Sequence, residues 1–566
     1  MDLSRITDFA PLDELESAET HWRQQYRDDI VAAEAENAAC EDGIPLKILY
    51  GPSDNRSEFL TDIGFPGEFP FTRGLDPTGY RKKLWTISHY AGFGSPRETN
   101  ALFRRMIEHG GVPPYMALDL PTQLGYDPDH PMAQNEVGLT GTAVASLRDW
   151  EIIFDGIDIE KTFVGTVINA PAAVFLAMHV VLAEKQGADL RKIRGNLQND
   201  ILKEFTARGN FIFPVEPSLR LVTDTLEYCA EHLPSYWPIS VCGGHFPEAG
   251  ANRVHEVAFA FADAFTYIEH AIARGVDIDA FASNMFFLMK TNHTDFLEEV
   301  AKFRVMRKIW AEHLREKYGA KKLETMKCKV LGHSGGSLLT RERPELNIAR
   351  TTLACLAGVF GGIQLIGLRT MDELFGIPTE KAELIAIGTQ HVVAYETALP
   401  QVVDPLGGSY CIEALTAEFE AKVLEELDHI ARIGGMVKAI ESGYVRKAIA
   451  ADAYETHQAW QTGKKIKVGV NKFHIDEDEP PRRPYEFTPE AQQLQIEAVQ
   501  QLRRERDNIR VECALDRLRD TAQRPACSDT NLMPPIIEAV RAYATIGEIC
   551  GVLRSVFGEY AEPTNL

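Results

Sequence analysis

From about Ile48 to Tyr410, short apolar runs alternate with amphipathic segments of ten to twenty residues, and this alternation restricts the fold more than any other feature. It is the rhythm of repeated strand and helix units. Predicted strands fall at 115–120, 163–169, 193–198, 239–243, 328–332 and 363–368. Each is too apolar along its length to have a wet face, as expected of parallel strands covered on both faces. The segment 98–109 sets Leu102 and Met106 on one stripe and stops at Gly110-Gly111, while Val257, Phe261, Ala264 and Ile268 recur at helical spacing. With about eight such units over some 360 residues, a closed (β/α)8 TIM barrel leads over an open doubly wound sheet, although periodicity leaves both open.

A chain of 566 residues with 45% apolar and 25% charged side chains is neither a small disulfide scaffold nor a disordered protein. The formal charge of −23 disfavours nucleic acid and anionic membranes as partners. Nine scattered cysteines without a CxxC pair read as reduced thiols. No secretory signal is visible at the amino terminus, and the run 351–368, broken by Gly358, Gly361, Gly362 and Gln364, fits a helix followed by a buried strand better than a membrane span. A cytoplasmic protein is expected. The predicted organisation is an N-terminal helical arm over 1–45 with Trp22 and Tyr26 as anchors, the barrel over 46–410, a helical extension over 411–475, and a linker with a charged helical tail over 476–566. The linker centres on the acidic and proline-rich stretch 474–483, and the tail helices begin near Pro489.

Generic signatures are missing: there is no GxGxxG, Walker loop, HExxH or GxSxG elbow, and no histidine has a partner at metal-ligand spacing. No metal site is expected. What remains is polar chemistry just past the apolar strands, where a barrel collects its reacting groups. Asp119 with the loop running from Pro121 to Tyr126, Gln198-Asn199-Asp200, and Gly243-Gly244-His245 with Glu248 occupy such positions. Any one of them reads more simply as a structural strand-end residue. Their recurrence is the signal.

Longer stretches carry a resemblance. Trp85-Thr86-Ile87 with Tyr90-Ala91-Gly92-Phe93, Gly125-Tyr126-Asp127-Pro128-Asp129-His130-Pro131, Leu197-Gln198-Asn199-Asp200-Ile201-Leu202-Lys203-Glu204-Phe205, Glu248-Ala249-Gly250-Ala251, Phe360-Gly361-Gly362, Asp404-Pro405-Leu406-Gly407-Gly408-Ser409-Tyr410 and Val468-Gly469-Val470-Asn471-Lys472 follow one another in unbroken order. Over roughly residues 70–475 the chain resembles the large subunit of the methylmalonyl-CoA mutase family. The resemblance implies a TIM barrel threaded by coenzyme A and an adenosylcobalamin-dependent rearrangement of an acyl-CoA. The family's attached cobalamin domain carries Asp-x-His-x-x-Gly, and none of the sixteen histidines here has Asp two positions before it. A separate small cobalamin-binding subunit, in an α2β2 heterotetramer, is therefore expected.

By the same resemblance, Tyr90 matches the aromatic residue that presses on the adenosyl side of the cofactor, and Arg208 the arginine that holds a free substrate carboxylate. His245 matches the donor to the migrating thioester carbonyl, with Gln198 bonding the same substrate. Thr78, Lys83, Thr86, Asn284 and Phe286 match substrate-binding positions, while Ala117, Gln123, Glu248, Glu373 and Gly336 match positions around the cofactor. Departures are numerous. Lys83, Ser88 and Asn284 stand where methylmalonyl-CoA mutases carry arginines, Phe286 replaces a serine of the acyl pocket, and Gln123 and Gly336 replace a histidine and a tryptophan facing the corrin. His333 lies in the divergent stretch 330–337 and carries no assignment. A kept carboxylate clamp with a changed pocket points to a 2-substituted succinyl-CoA (alkyl, benzyl or indolyl) interconverting with a substituted malonyl-CoA. Rival readings are methylmalonyl-CoA/succinyl-CoA turnover and an isobutyryl- or 2-hydroxyisobutyryl-CoA mutase, the last disfavoured by Ala117 where an aspartate is expected. A non-catalytic scaffold is disfavoured by the retained Tyr90, Arg208, His245 and Gln198.

Overall fold

The computed structural model describes residues 12–28, 30–31, 42–55, 57–92, 94–108, 114–376, 378–475 and 489–562. Cys40, Phe93, Gly110, Gly111 and the predicted linker from residue 476 onward lie outside them. Nine short strand segments make up the sheet: β1 (Thr86–Ile87), β2 (His89–Ala91), β3 (Pro114–Met116), β4 (Val164–Thr166), β5 (Gly195–Leu197), β6 (Ile239–Val241), β7 (Met285–Thr291), β8 (Val330–Ser334) and β9 (Leu365–Gly367). All pairings between them are parallel, in the orders β1-β9-β8-β7-β6 and β2-β3-β4-β5.

Two seams join these sheets into a ring. β1 and β2 are halves of one strand interrupted at Ser88, whose backbone N–H donates to Ile366 O at 2.9 Å. Between β5 and β6, Leu197 N donates to Trp237 O at 3.1 Å and Ser240 N to Gln198 O at 3.0 Å. The result is an eight-stranded parallel barrel, the alternative that the resemblance implies and that periodicity leaves open beside a doubly wound sheet. Its helices include Ala172–Gln186, Val215–His232, Arg253–Ala273, Phe296–Glu316 and Leu346–Phe360.

Alternation along β7 separates two interiors. Met285, Phe287 and Met289 face the helices, where Phe287 packs edge-on against Trp310 with ring centroids 5.0 Å apart. Phe286 and Leu288 point the other way, into the lumen, and cluster with Cys242 and Leu331 against Trp237 and Leu365. After β9 the helices Tyr410–Ile433, Met436–Glu441 and Tyr444–Gln461 follow. The C-terminal helices pack tightly: Ile536 and Ile549 belong to the main core, and the Arg220 guanidinium donates to the carbonyls of Ala522, Arg524 and Thr530 at 2.9 Å each. The tail that reads as charged in sequence has a buried apolar face. No helix among the described residues is long and apolar enough to cross a membrane.

A buried acidic cluster ties the segment after the N-terminal helix to the barrel. Asp42 Oδ1 accepts from Arg253 N at 2.9 Å, beside Glu298, whose carboxyl is pushed up to about 9 by burial and by the Asp42 and Asp295 charges, against an opposing pull from Arg253. Because this pKa is raised, the contribution of Glu298 to stability is complete below the ordinary glutamate value and is lost as pH rises through about 9. The thermal midpoint is therefore expected to fall between about pH 5 and 9 more steeply in the wild type than in Glu298→Gln. Parallel pH profiles would refute it.

Candidate functional site

The carboxyl ends of the strands carry most of the residues that the resemblance singles out. β5 delivers Gln198, and the 3-10 turn Leu202–Phe205 that follows places Lys203 and Glu204 side by side, both fully buried. Buried charges persist only when paired and hydrogen-bonded. Lys203 Nζ is ion-paired with Glu204 and donates to Gln198 Oε1 at 2.8 Å. Asn169, just past β4, donates from Nδ2 to Gln198 Oε1 at 2.8 Å and to Glu204 Oε1 at 2.7 Å. One turn later Arg208 reaches back, its Nη1 3.3 Å from Glu204 Oε1, with 27% of its side chain exposed. Asn210 closes the loop, its N–H donating to Glu204 Oε2 at 2.9 Å and its Nδ2 to Gln123 Oε1 at 2.8 Å. Gln123 also donates to Leu118 O at 2.6 Å, so both ends of this buried amide are engaged within the protein.

His245 opens a one-turn helix after β6 and is half-buried. Burial, and then the positive charges of Lys203, Arg208 and Arg369, hold its pKa well below the usual histidine value. The ring is neutral at pH 7. Its Nδ1 lies 3.4 Å from Cys242 O, so the neutral ring either donates there from Nδ1 and accepts at Nε2, or gives up that contact and carries its proton on Nε2. Lys203 and Arg208 follow β5, and Arg369 follows β9, so the charges that act on His245 after β6 come from two other strand ends.

A second group lies on the rim. Glu248 Oε1 is 3.0 Å from Lys290 Nζ, and its Oε2 accepts from Ser337 N at 3.1 Å. A Cβ at Gly335 would displace the end of the Lys290 side chain, while a Cβ at Gly336 would meet only Glu248 Oε2 at 3.7 Å. Glu373, in the turn after β9, accepts from Arg369 Nη1 at 3.0 Å. Ala117 is half-buried just past β3, and Tyr90 stands in β2 in register with Tyr115.

The remaining predicted residues sit elsewhere. Lys83 and Thr86 precede or begin β1, Asn284 immediately precedes β7 and donates to Pro234 O at 2.9 Å, and Thr78 hydrogen-bonds Asp76 at 2.6 Å on an exposed turn. These mark the amino-terminal end of the barrel. A cavity of about 230 Å³ opens there, lined by Arg73, Tyr80, Lys83, Trp85, Gln364 and Asp404 among others. Phe286 is in the lumen between the two ends, its ring 5.1 Å from that of Trp237. His333 also faces the lumen, against Gly367.

Sequence reasoning leaves Lys203, Glu204, Asn169, Asn210, Lys290 and Arg369 without a role. Nothing in the sequence singles them out, since a Lys-Glu dipeptide is usually a solvated surface pair.

An arginine, a neutral histidine and a buried glutamine thus stand just past the strand ends of a parallel barrel, where such scaffolds collect their reacting groups. The chain belongs to the methylmalonyl-CoA mutase family: the family model described as methylmalonyl-CoA mutase matches residues 39–559. It is similar to the 2-hydroxyisobutanoyl-CoA mutase large subunit of Aquincola tertiaricarbonis, with 40% identity over 92% of each chain. It is also similar to the methylmalonyl-CoA mutase of Rhizobium meliloti, 36% identical over 92% of this chain and 72% of the relative, and to the probable mitochondrial methylmalonyl-CoA mutase of Caenorhabditis elegans, 37% identical over 93% and 70%. The protein is thus an isomerase of the acyl-CoA mutase group, a family that depends on cobalamin in general.

Proposed function

We propose that this chain is the acyl-CoA-binding large subunit of an adenosylcobalamin-dependent carbon-skeleton mutase that interconverts a 2-substituted succinyl-CoA with the corresponding substituted malonyl-CoA. The observation that carries this reading is Arg208, a partly exposed guanidinium close enough to His245 to depress its pKa. A dicarboxylic acyl group presents a free carboxylate for the guanidinium and a thioester carbonyl for the imidazole. Gln198, locked by Lys203 and Asn169, supports the same acyl group.

The rim suits the cofactor. Glu248 and Glu373 are carboxylates fixed by Lys290 and Arg369, able to accept from ribose hydroxyls, and Gly336 leaves the face beside them free of a side chain. When bound, adenosylcobalamin supplies the radical that abstracts a substrate hydrogen. This chain's own residues orient the acyl group and keep water from it. Tyr90, Ala117 and Gln123 complete the cofactor side in this reading. Thr78, Lys83, Thr86 and Asn284 hold the coenzyme A end, and Phe286 lines the path between. A small cobalamin-binding subunit completes a cytoplasmic α2β2 enzyme, in keeping with the 92% coverage of a relative named as a large subunit.

That same relative favours a second reading, a 2-hydroxyisobutanoyl- or isobutyryl-CoA mutase. Turnover separates them. The chain, a cognate small subunit and adenosylcobalamin are supplied with benzylsuccinyl-CoA, succinyl-CoA, isobutyryl-CoA and 2-hydroxyisobutyryl-CoA, and mass-neutral isomers are resolved by chromatography. Rearrangement of the substituted succinyl-CoA supports the proposal; preference for succinyl-CoA or for a monocarboxylic thioester overturns it. His245→Ala in the same assay is expected to lower kcat on the order of 100-fold while the protein still binds the thioester, because the lost donor acts on charge that develops during reaction. An unchanged kcat would remove His245 from the chemistry.

A further inference from the structure

Resting on the dicarboxylic reading just given, a second inference concerns the pair beneath the clamp. Lys203 and Glu204 are both withdrawn completely from solvent, one residue apart on the same turn. Glu204 Oε1 faces three donors, Asn169 Nδ2 at 2.7 Å, Lys203 Nζ, and Arg208 Nη1 at 3.3 Å. Its Oε2 takes the Asn210 N–H, and its backbone carbonyl takes the Gly209 N–H at 2.9 Å. The Glu204 carboxylate therefore joins the Arg208 guanidinium to the backbone of Asn210 within the loop that carries the arginine. Asp200, held by the Tyr267 hydroxyl at 2.7 Å and Cys242 N–H at 2.6 Å, adds a second acidic group whose field Lys203 opposes.

We propose that Lys203 and Glu204 are positioning residues for substrate selection. Glu204 fixes where the Arg208 guanidinium sits, and Lys203 neutralises Glu204 so that the guanidinium stays available to the second carboxylate of the substrate. Without the lysine charge, Arg208 is the nearest cation left to satisfy Glu204 and is captured by it. Without the glutamate charge, two cations face the incoming carboxylate, which binds more tightly, while the loosened loop places it less well for reaction.

The two charge-removing substitutions should therefore move substrate discrimination in opposite directions, which simple damage to the fold does not do. Discrimination is measured on the reconstituted holoenzyme as the affinity for succinyl-CoA relative to that for butyryl-CoA, each as an inhibition or dissociation constant. Lys203→Gln is expected to lower this ratio by about tenfold or more. Glu204→Gln is expected to raise the ratio several-fold while kcat for the wild-type substrate falls. If Lys203→Gln does not fold, Glu204→Gln decides alone, and an unchanged or lowered ratio in it overturns the inference. A wild type that binds both thioesters equally would instead overturn the dicarboxylic reading itself. A wild type that discriminates, with both variants retaining its ratio, would leave that reading standing and remove the role of the pair.

Discussion

Arg208→Gln is expected to lower kcat/KM for dicarboxylic acyl-CoA substrates by about three orders of magnitude, equivalent to ~4 kcal/mol of lost binding in the transition state. Glutamine preserves polarity and part of the reach but removes the charge and the bidentate fork, so a substrate carboxylate is left desolvated without a counter-ion. The carboxylate of Glu204 lies directly beneath, 3.3 Å from the guanidinium in the present structure, and its pairing with Lys203 leaves no free cation to replace the lost one. Monocarboxylic thioesters make no such demand. Turnover of isobutyryl-CoA by the variant should therefore be unchanged or improved relative to the wild type. Steady-state kinetics of both substrates on both proteins checks the prediction. Equal losses on the two substrates would mean that the residue supports the loop and does not select the acyl group.

The sequence makes the barrel readable because parallel strands covered on both faces are largely apolar, and six of the eight are recognisable by that pattern. The two that escape are informative. The strand formed by β1 and β2 reads Thr-Ile-Ser-His-Tyr-Ala, too polar to resemble a buried strand. β7, the longest at seven residues, lacks β-branched residues until its final Thr291 and includes the buried Lys290, whose ammonium is spent on Glu248 and Ser337. The first escapes because polar side chains break its apolar pattern, whereas β7 is apolar over its first five residues and escapes because Met, Phe and Leu serve a buried helix as well as a strand. The same logic limits the site. Arg208, His245 and Gln198 follow from motif resemblance, but motif letters do not reveal that Glu204 is the anchor of the Arg208 loop, since a Lys-Glu dipeptide in sequence is usually a solvated surface pair. Only the burial of both charges separates the two cases.

The Asp404-Pro405-Leu406-Gly407-Gly408 stretch was legible as a signature and silent as to its purpose, and the structure supplies one. Arg304, completely buried on the helix Phe296–Glu316, donates from Nη1 to Asp404 Oδ2 and from Nη2 to Glu413 Oε1, both at 2.6 Å. Asp404 also accepts from Arg73 Nε at 3.0 Å, and Glu413 from Gly408 N at 2.8 Å. Gly407 has no alternative, since a Cβ there would strike the Asp404 carboxylate. One guanidinium thus binds together the loop before the helix Tyr410–Ile433, the start of that helix, and the Arg73 turn, all of them around the cavity at the amino-terminal end of the barrel. Arg304→Met keeps much of the apolar volume but leaves Glu413 buried with only a backbone partner and Asp404 with a half-exposed arginine. Removing one member of a buried ion network costs about 3–5 kcal/mol, because the abandoned charges remain desolvated. The variant is expected to unfold at a clearly lower temperature, and Arg304→Met with Glu413→Gln should recover part of the loss by removing one abandoned charge. Coincident melting curves for the wild type and Arg304→Met would show that the network is neutral to stability, and a double variant worse than the sum of its singles would show that the charge at Glu413 is not what the arginine serves.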